Sequence, residues 1–197
     1  MNRKDYFLAI VAGVFTGFFV FFIFKHVDIE IPGGMISLLA GIPALWILGL
    51  NLARILAKYF SWSNQFGRFI VVGFLNASID FGILNFLSFK TGIYSGKPII
   101  LFNVLAFTVA VTNSYLWNKY WTFKSEGKPR VSEAAKFVSV NLIGVVINTG
   151  IVYSVITFAD LVNGFSPPEV ENIAKVIATA ISLFWSFFGL KFLVFKK

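Results

Sequence analysis

The sequence predicts an all-α integral membrane protein with six transmembrane helices. Of its 197 residues, 57% are hydrophobic and only 13% are charged. The mean hydropathy of +0.80 is far above that of soluble domains. Because backbone polar groups find no water in lipid, each apolar stretch must be helical, and runs this continuously apolar exclude a β-barrel.

Each predicted helix is long enough to cross the bilayer, since about 30 Å of hydrocarbon needs roughly 20 apolar residues. The first stretch is not a secretory signal, because it is too long, lacks a small-residue cleavage site and precedes a second span. The six stretches lie near 6–25, 35–57, 67–89, 99–122, 135–158 and 172–194.

The distribution of basic residues predicts the orientation of these helices. The net charge of +8 does not indicate a nucleic-acid partner, because most basic residues cluster at one set of helix ends. The positive-inside rule then places both termini in the cytoplasm. The cytoplasmic (inner or plasma) membrane is the expected location. The basic residues at these ends are Arg3, Lys4, Arg54, Lys58, Arg68, Lys119, Lys124, Lys128, Arg130, Lys136, Lys191, Lys196 and Lys197.

Residues 1–61 are predicted to form an N-terminal transmembrane hairpin. Its first helix places Ala9, Gly13 and Gly17 at four-residue spacing, and such small-residue stripes let another helix approach closely. Helix packing is favoured over a solute pathway. Pro43 is expected to kink the second helix without breaking it, since neighbouring groups can satisfy the freed carbonyl.

Two further hairpins repeat one another, hairpin A over 62–128 and hairpin B over 129–197. Residues of the first helix recur 68 positions later, as Phe69 and Phe137 do. In the second helix the offset is 72, as for Lys119 and Lys191, because the loop of hairpin B is longer. A two-helix repeat preserves orientation, so an axis along the membrane normal is expected to relate the copies.

Each hairpin places small and polar residues on one face of its first helix, at positions i, i+3 and i+7. We expect the two stripes to face each other across a hydrated seam. The stripes comprise Gly73, Asn76 and Asp80 in hairpin A, and Asn141, Gly144 and Asn148 in hairpin B.

Asp80 is an acid well inside a predicted span. It lies 12 residues beyond Arg68, about 18 Å along a helix, and Asn113 is expected near the same level. A carboxylate in lipid costs from about 2.5 kcal/mol upward and persists where it lines a cavity or has a partner. Asp80 is therefore either a functional group in a polar pathway or a protonated or hydrogen-bonded structural residue within the helix bundle.

One cation lies at the cytoplasmic end of each of the four helices in the two hairpins, at equivalent positions. Folding the hairpins together would gather these cations around one cytoplasmic opening. A phosphate would be attracted there, and nearby indoles would stack on a sugar. The alternative is that the cations only set topology and snorkel to the surface. The cations are Arg68, Lys119, Lys136 and Lys191, and the neighbours of Lys119 include Trp117, Asn118 and Trp121.

Residues 66–197 resemble the GtrA-like family of small membrane proteins with four helices. The resemblance rests on FIVVGFLNASIDF from Phe69, NSYLWNKYWTF from Asn113 and the degenerate WSFFGLKFLVF from Trp185. Trp185 and Leu190 stand where the family usually has asparagines, so a symmetric site is in question. The positions that match the family pattern are Gly73, Asp80, Asn113, Asn118, Lys119, Trp121 and Phe123.

The resemblance implies a flippase that moves a polyprenyl-phosphate-linked sugar to the outer leaflet for the glycosylation of cell-surface polysaccharides. The bilayer and a polyprenyl-phosphate glycosyltransferase are the implied partners. No covalent chemistry is required, so an enzyme is not expected. The expected substrate-binding residues are Arg68, Lys119, Lys136 and Lys191 for the phosphate, Asn76, Asp80, Asn113 and Asn148 for the sugar, and Trp117, Asn118 and Trp121 beside them.

The sequence leaves two other functions open, an accessory subunit that anchors a membrane glycosyltransferase and a small-solute or proton-coupled exporter. The chain has no nucleotide-binding GxxxxGK[ST] loop, so transport would be downhill or ion-coupled, with Asp80 as the proton carrier. It has no cysteine and a single histidine, His26, and no metal or cofactor is expected. The sequence leaves homo-oligomer formation open.

Overall fold

The computed structural model describes residues 1–26, 29–93, 96–157 and 167–195. Lys196 and Lys197 lie outside the described residues. Six helices in the described part are long and apolar enough to cross a membrane, and no strand occurs there, so the predicted all-α membrane fold is confirmed. The helices are α1 Arg3–His26, α2 Gly34–Leu56, α3 Ser63–Thr91, α4 Lys97–Trp117, α5 Val131–Thr157 and α6 Pro167–Gly189.

Two short π-helical segments extend α4 and α6 and were not predicted. The first, π-turn A, covers Asn118–Thr122, and the second, π-turn B, covers Leu190–Val194. The two segments stand 72 residues apart, which is the offset of the sequence repeat in the second helices. The repeat therefore extends to a rare backbone conformation.

The chain forms two compact units, unit 1 from Met1–Lys124 and unit 2 from Ser125–Lys197. The N-terminal hairpin lies in the same unit as α3 and α4. The predicted three-part division into 1–61, 62–128 and 129–197 stays a prediction. The expected seam between hairpins A and B, and the axis relating them, also stay predictions.

In unit 1, α1 packs closely against α2 through its small-residue stripe. A Cβ placed on Gly13 would lie 2.7 Å from the Cα of Pro43, and one on Gly17 would lie 2.8 Å from the carbonyl oxygen of Leu38. The packing interpretation of the stripe is confirmed. Pro43 lies inside an unbroken α2, as expected.

The other face of α1 packs on α3, so the N-terminal hairpin and hairpin A share one apolar core. In lipid this core is stabilised by van der Waals packing rather than by the expulsion of water. Its buried members are Ala9 and Ala12 of α1, Trp46 and Leu50 of α2, Val71, Val72, Leu75 and Ile79 of α3, and Ala110 and Trp121 of the α4 segment.

In unit 2, α5 and α6 approach each other closely at two glycines. A Cβ on Gly144 would lie 2.9 Å from the Oγ of Ser186, and one on Gly189 would lie 2.7 Å from a methyl carbon of Val140. Phe137 and Phe195 close the end that contains π-turn B, with ring centroids 6.2 Å apart.

Candidate functional site

A buried ion pair with two further donors around it lies where α1, α3 and π-turn A meet in unit 1. The side chains of Asp5 and Arg68 are 3% and 7% exposed, and Arg68 Nη1 donates to Asp5 Oδ1 at 3.1 Å. The indole N–H of Trp121 donates to the same oxygen at 3.1 Å, and Lys124 Nζ lies 3.7 Å from it. Asp5 therefore joins the N-terminal hairpin to both helices of hairpin A. We call these four residues the charge cluster.

The local sequence explains why Asp5 is available at this point. The Asn2 side chain accepts a hydrogen bond from the Asp5 N–H at 3.0 Å, and Asp5 Oδ2 accepts one from the Asn2 N–H at 2.9 Å. This reciprocal pair is a capping box at the start of α1, where a carboxylate also interacts favourably with the helix dipole. Sequence reasoning missed Asp5. The NRKD spacing at residues 2–5 was the signal that could have found it.

Arg68 also holds the end of π-turn A. Its Nη2 donates to the carbonyl oxygen of Thr122 at 3.2 Å. The last carbonyls of a helical segment have no partner within the helix, and the guanidinium supplies a donor to one of them. Both hydrogen bonds of Arg68 are charge-assisted and buried, so this side chain fixes the position of the segment that includes Lys119.

Each π-turn places a lysine at its second position, Lys119 in unit 1 and Lys191 in unit 2. Lys119 is 1% exposed, with Nζ 6.0 Å from the centroid of the Tyr120 ring. Lys191 is half-buried, with Nζ 5.9 and 5.5 Å from the ring centroids of Phe187 and Phe192. These distances are typical of cation–π contacts. Both lysines therefore lie against aromatic rings, with different access to the surroundings.

The polar stripe of hairpin A makes a hydrogen bond across its two helices. Asn113 Nδ2 donates to Asn76 Oδ1 at 2.7 Å, and Asn76 Nδ2 donates to the carbonyl oxygen of Val72 at 2.7 Å. Asp80 lies one helical turn farther along α3, half-buried, and its buried Oδ1 accepts no hydrogen bond from the described residues. Unit 1 thus brings Asn76, Asn113 and Asp80 onto one polar line.

The equivalent contact between the two helices of hairpin B involves no amide side chain. Gly144 and Trp185 occupy the positions of Asn76 and Asn113 at the repeat offsets. Trp185 Nε1 donates to the carbonyl oxygen of Val140 at 3.1 Å, and its Cδ1 would lie 3.5 Å from a Cβ on Gly144. The indole therefore lies in van der Waals range of the Gly144 position, while the closest atom to a Cβ there would be the Oγ of Ser186, at 2.9 Å. The two hairpins consequently differ at this contact, where hairpin A pairs two amides and hairpin B pairs an indole N–H with a backbone carbonyl.

The remaining predicted site residues divide between the two units. In unit 1, Trp117 is half-buried with its ring centroid 5.4 Å from that of Trp121, and Asn118 is 1% exposed, with Nδ2 donating to the Ser114 carbonyl at 2.9 Å. In unit 2, Lys136 is exposed and Asn148 is half-buried. Convergence of Lys136, Asn148 and Lys191 with the residues of unit 1 stays a prediction.

Comparison with known proteins identifies the region that contains these residues. The sequence model of a protein family, the GtrA/DPMS transmembrane domain, matches residues 68–195. A segment of 76 residues is 34% identical to an uncharacterized membrane protein, YngA, of Bacillus subtilis (strain 168). That match covers 39% of this chain and 48% of YngA, so it spans about half of the relative's length. No solved structure matches the chain.

Proposed function

We propose a flippase function for this chain, which belongs to the GtrA/DPMS transmembrane-domain family. The family associates the chain with the handling of lipid-linked sugars in glycosylation. In the proposal, a polyprenyl-phosphate-linked sugar crosses the cytoplasmic membrane while its lipid tail stays in the bilayer. The termini lie in the cytoplasm, and a polyprenyl-phosphate glycosyltransferase supplies the substrate.

The observation that supports transport best is the line of polar groups along α3 in unit 1. Along α3 the charge cluster comes first, the Asn76–Asn113 pair follows about two turns later, and Asp80 lies about one turn beyond that pair. At helical rise, Asp80 lies about 18 Å from Arg68, which is more than half of the roughly 30 Å hydrocarbon core. Polar side chains at such depth are costly in lipid and mark substrate or ion pathways.

The burial of the cations refines their proposed roles. Lys136 and Lys191 are the more accessible cations and make the first contact with the phosphate. Arg68 is committed to Asp5 and to the Thr122 carbonyl, so it positions π-turn A and with it Lys119. The indole N–H of Trp121 is likewise already hydrogen-bonded to Asp5. Of the two predicted tryptophans, the half-buried Trp117 is therefore the one proposed to contact a sugar.

Midway through the membrane the sugar hydroxyls exchange water for protein partners. Burying a hydroxyl without a hydrogen bond costs several kcal/mol in an apolar medium, so amides and carboxylates on the route lower the barrier. Asn76, Asn113 and Asp80 supply such groups in hairpin A, with Asn148 in hairpin B. Asp80 has the free buried acceptor and is the group proposed to exchange a proton.

The test uses the purified full chain in liposomes containing a fluorescent polyprenyl-phosphate sugar, with leaflet exchange measured by accessibility to a quencher. Asp80→Asn removes the charge without changing size, and Lys119→Met keeps most of the side-chain length. A hydrogen bond to a charged group contributes about 1.5–3 kcal/mol, so each variant is expected to slow exchange by about tenfold or more. Asn103→Ala, at an exposed position of α4, is the matched control and should leave the rate unchanged.

Far-UV circular dichroism of each variant separates loss of transport from loss of fold. Exchange at the wild-type rate in the Asp80→Asn, Lys119→Met double variant would remove this mechanism. Absence of exchange in the folded wild-type protein would remove the flippase proposal itself.

A further inference from the structure

An apolar groove between α1 and α3 has no role in the proposed transport. Its volume is about 410 Å³, within the range of about 300–1,000 Å³ that is usual for ligand pockets. It lies along the later turns of both helices, away from the charge cluster at residues 5 and 68. Its walls include five phenylalanines, Phe18, Phe19, Phe22, Phe86 and Phe89.

The groove is open along its aromatic walls. Phe18, Phe22, Phe86 and Phe89 are 42%, 46%, 58% and 63% exposed. At its base a Cβ on Gly82 would overlap the Phe19 ring, so the absence of a side chain lets this ring lie directly against α3. Because the groove lies within two spans, the exposed rings contact hydrocarbon, and the space between them suits an alkyl chain.

The polar members of the groove lie near the ends of the helices. Lys25 is exposed in the last turn of α1, and Asn85 is half-buried on α3 with its Nδ2 donating to the Phe81 carbonyl at 2.8 Å. No acidic residue occurs among the described residues that line the groove. The groove therefore has one cation at its polar rim and complements an anion attached to a hydrocarbon chain.

We propose that this groove binds one anionic phospholipid of the bilayer, with an acyl chain against the phenylalanines and the phosphate at Lys25. A bulk lipid is favoured over the transported substrate because one wall of the groove, α1, lies outside the residues 68–195 that match the family. The bound lipid would pack the N-terminal hairpin against hairpin A at the end where the charge cluster is absent. This inference does not depend on the flippase proposal.

The experiment is native mass spectrometry of the full chain in a mild detergent, titrated with phosphatidylglycerol or phosphatidylcholine of identical acyl chains. One phosphatidylglycerol is expected to bind several-fold more tightly than phosphatidylcholine. Lys25→Ala should reduce its affinity to that of phosphatidylcholine, and Asn85→Trp, which fills the groove, should weaken both lipids. Lys90→Ala is the matched control, because Lys90 is an exposed lysine at the end of α3 that does not line the groove.

Three results would overturn the proposal. The first is equal binding of the two phospholipids to the wild-type protein. The second is an equal effect of Lys25→Ala and Lys90→Ala. The third is displacement of phosphatidylglycerol by a lower concentration of polyprenyl monophosphate, since the natural occupant would then be a prenyl lipid. Circular dichroism of each variant confirms that the compared proteins are folded.

Discussion

Replacing Asp5 with leucine is predicted to destabilise unit 1 strongly. The carboxylate and its partner Arg68 are nearly fully buried, so the substitution leaves an uncompensated cation inside the protein. Breaking a buried ion pair by removing one partner costs about 3–5 kcal/mol. Trp121 also loses its acceptor, a loss of about 1–3 kcal/mol when considered alone. The two costs involve one oxygen and are not additive, so the expected loss in the free energy of unfolding is about 3–5 kcal/mol.

The assay is equilibrium unfolding of the purified protein in mixed micelles, followed by far-UV circular dichroism. Asp5→Asn keeps an oxygen that can accept from Trp121 and removes only the charge, so its loss should be smaller. Asp5→Leu combined with Arg68→Met removes both charges, and this double variant should be more stable than Asp5→Leu alone, since apolar replacement of a buried pair is often neutral. Glu126→Leu, at an exposed loop position, is the control for loss of an acid.

Two outcomes would refute this reasoning. A loss below about 1 kcal/mol for Asp5→Leu would mean that the ion pair is solvated like a surface pair. A double variant whose loss equals the sum of the two single losses would mean that Asp5 and Arg68 do not interact energetically.

Three further predictions concern packing within each unit. Gly13→Leu should cost about 1–3 kcal/mol of unfolding free energy because of overlap with Pro43, whereas Gly41→Leu, with open space around it, should cost little in the same assay. A double-mutant cycle of Asn76→Ala and Asn113→Ala should give a coupling of about 0.6 kcal/mol, as for other hydrogen bonds between membrane helices, and a coupling of zero would contradict the contact. Trp185→Phe should lower stability by about 1 kcal/mol through loss of the donor to a backbone carbonyl, and unchanged unfolding would contradict that role.

The sequence predicted contacts of the candidate site only in part, as the helix contacts and the π-turns show. The offset of the repeat aligned Asn76 with Gly144 and Asn113 with Trp185. It did not show that the equivalent helix contact is an amide pair in hairpin A and an indole–carbonyl hydrogen bond in hairpin B. The π-turns were also missed, because their stability depends on buried partners such as the Arg68 donor to the Thr122 carbonyl. Such partners are far apart in sequence.

Asp5 is a buried charge that the sequence did not predict. Its position near basic residues at a helix start is typical of a solvated residue, and residues 1–61 lie outside the sequence repeat. The structure buries this carboxylate against Arg68 and Trp121, which are 63 and 116 residues away in the chain. A long-range contact of this kind leaves no periodic pattern in the sequence from which it could be predicted.

The sequence by itself determined the class of the protein, the number of membrane-spanning helices and the repeat. These features follow from local physics, since the lack of water in lipid requires helices and the thickness of the bilayer sets their length. The tertiary structure decided which polar groups are already paired and which keep a free buried atom. That distinction depends on differences of a few tenths of an ångström in donor–acceptor distances between helices. In our proposal Arg68 is therefore a positioning residue, and Asp80 keeps an acceptor for a ligand.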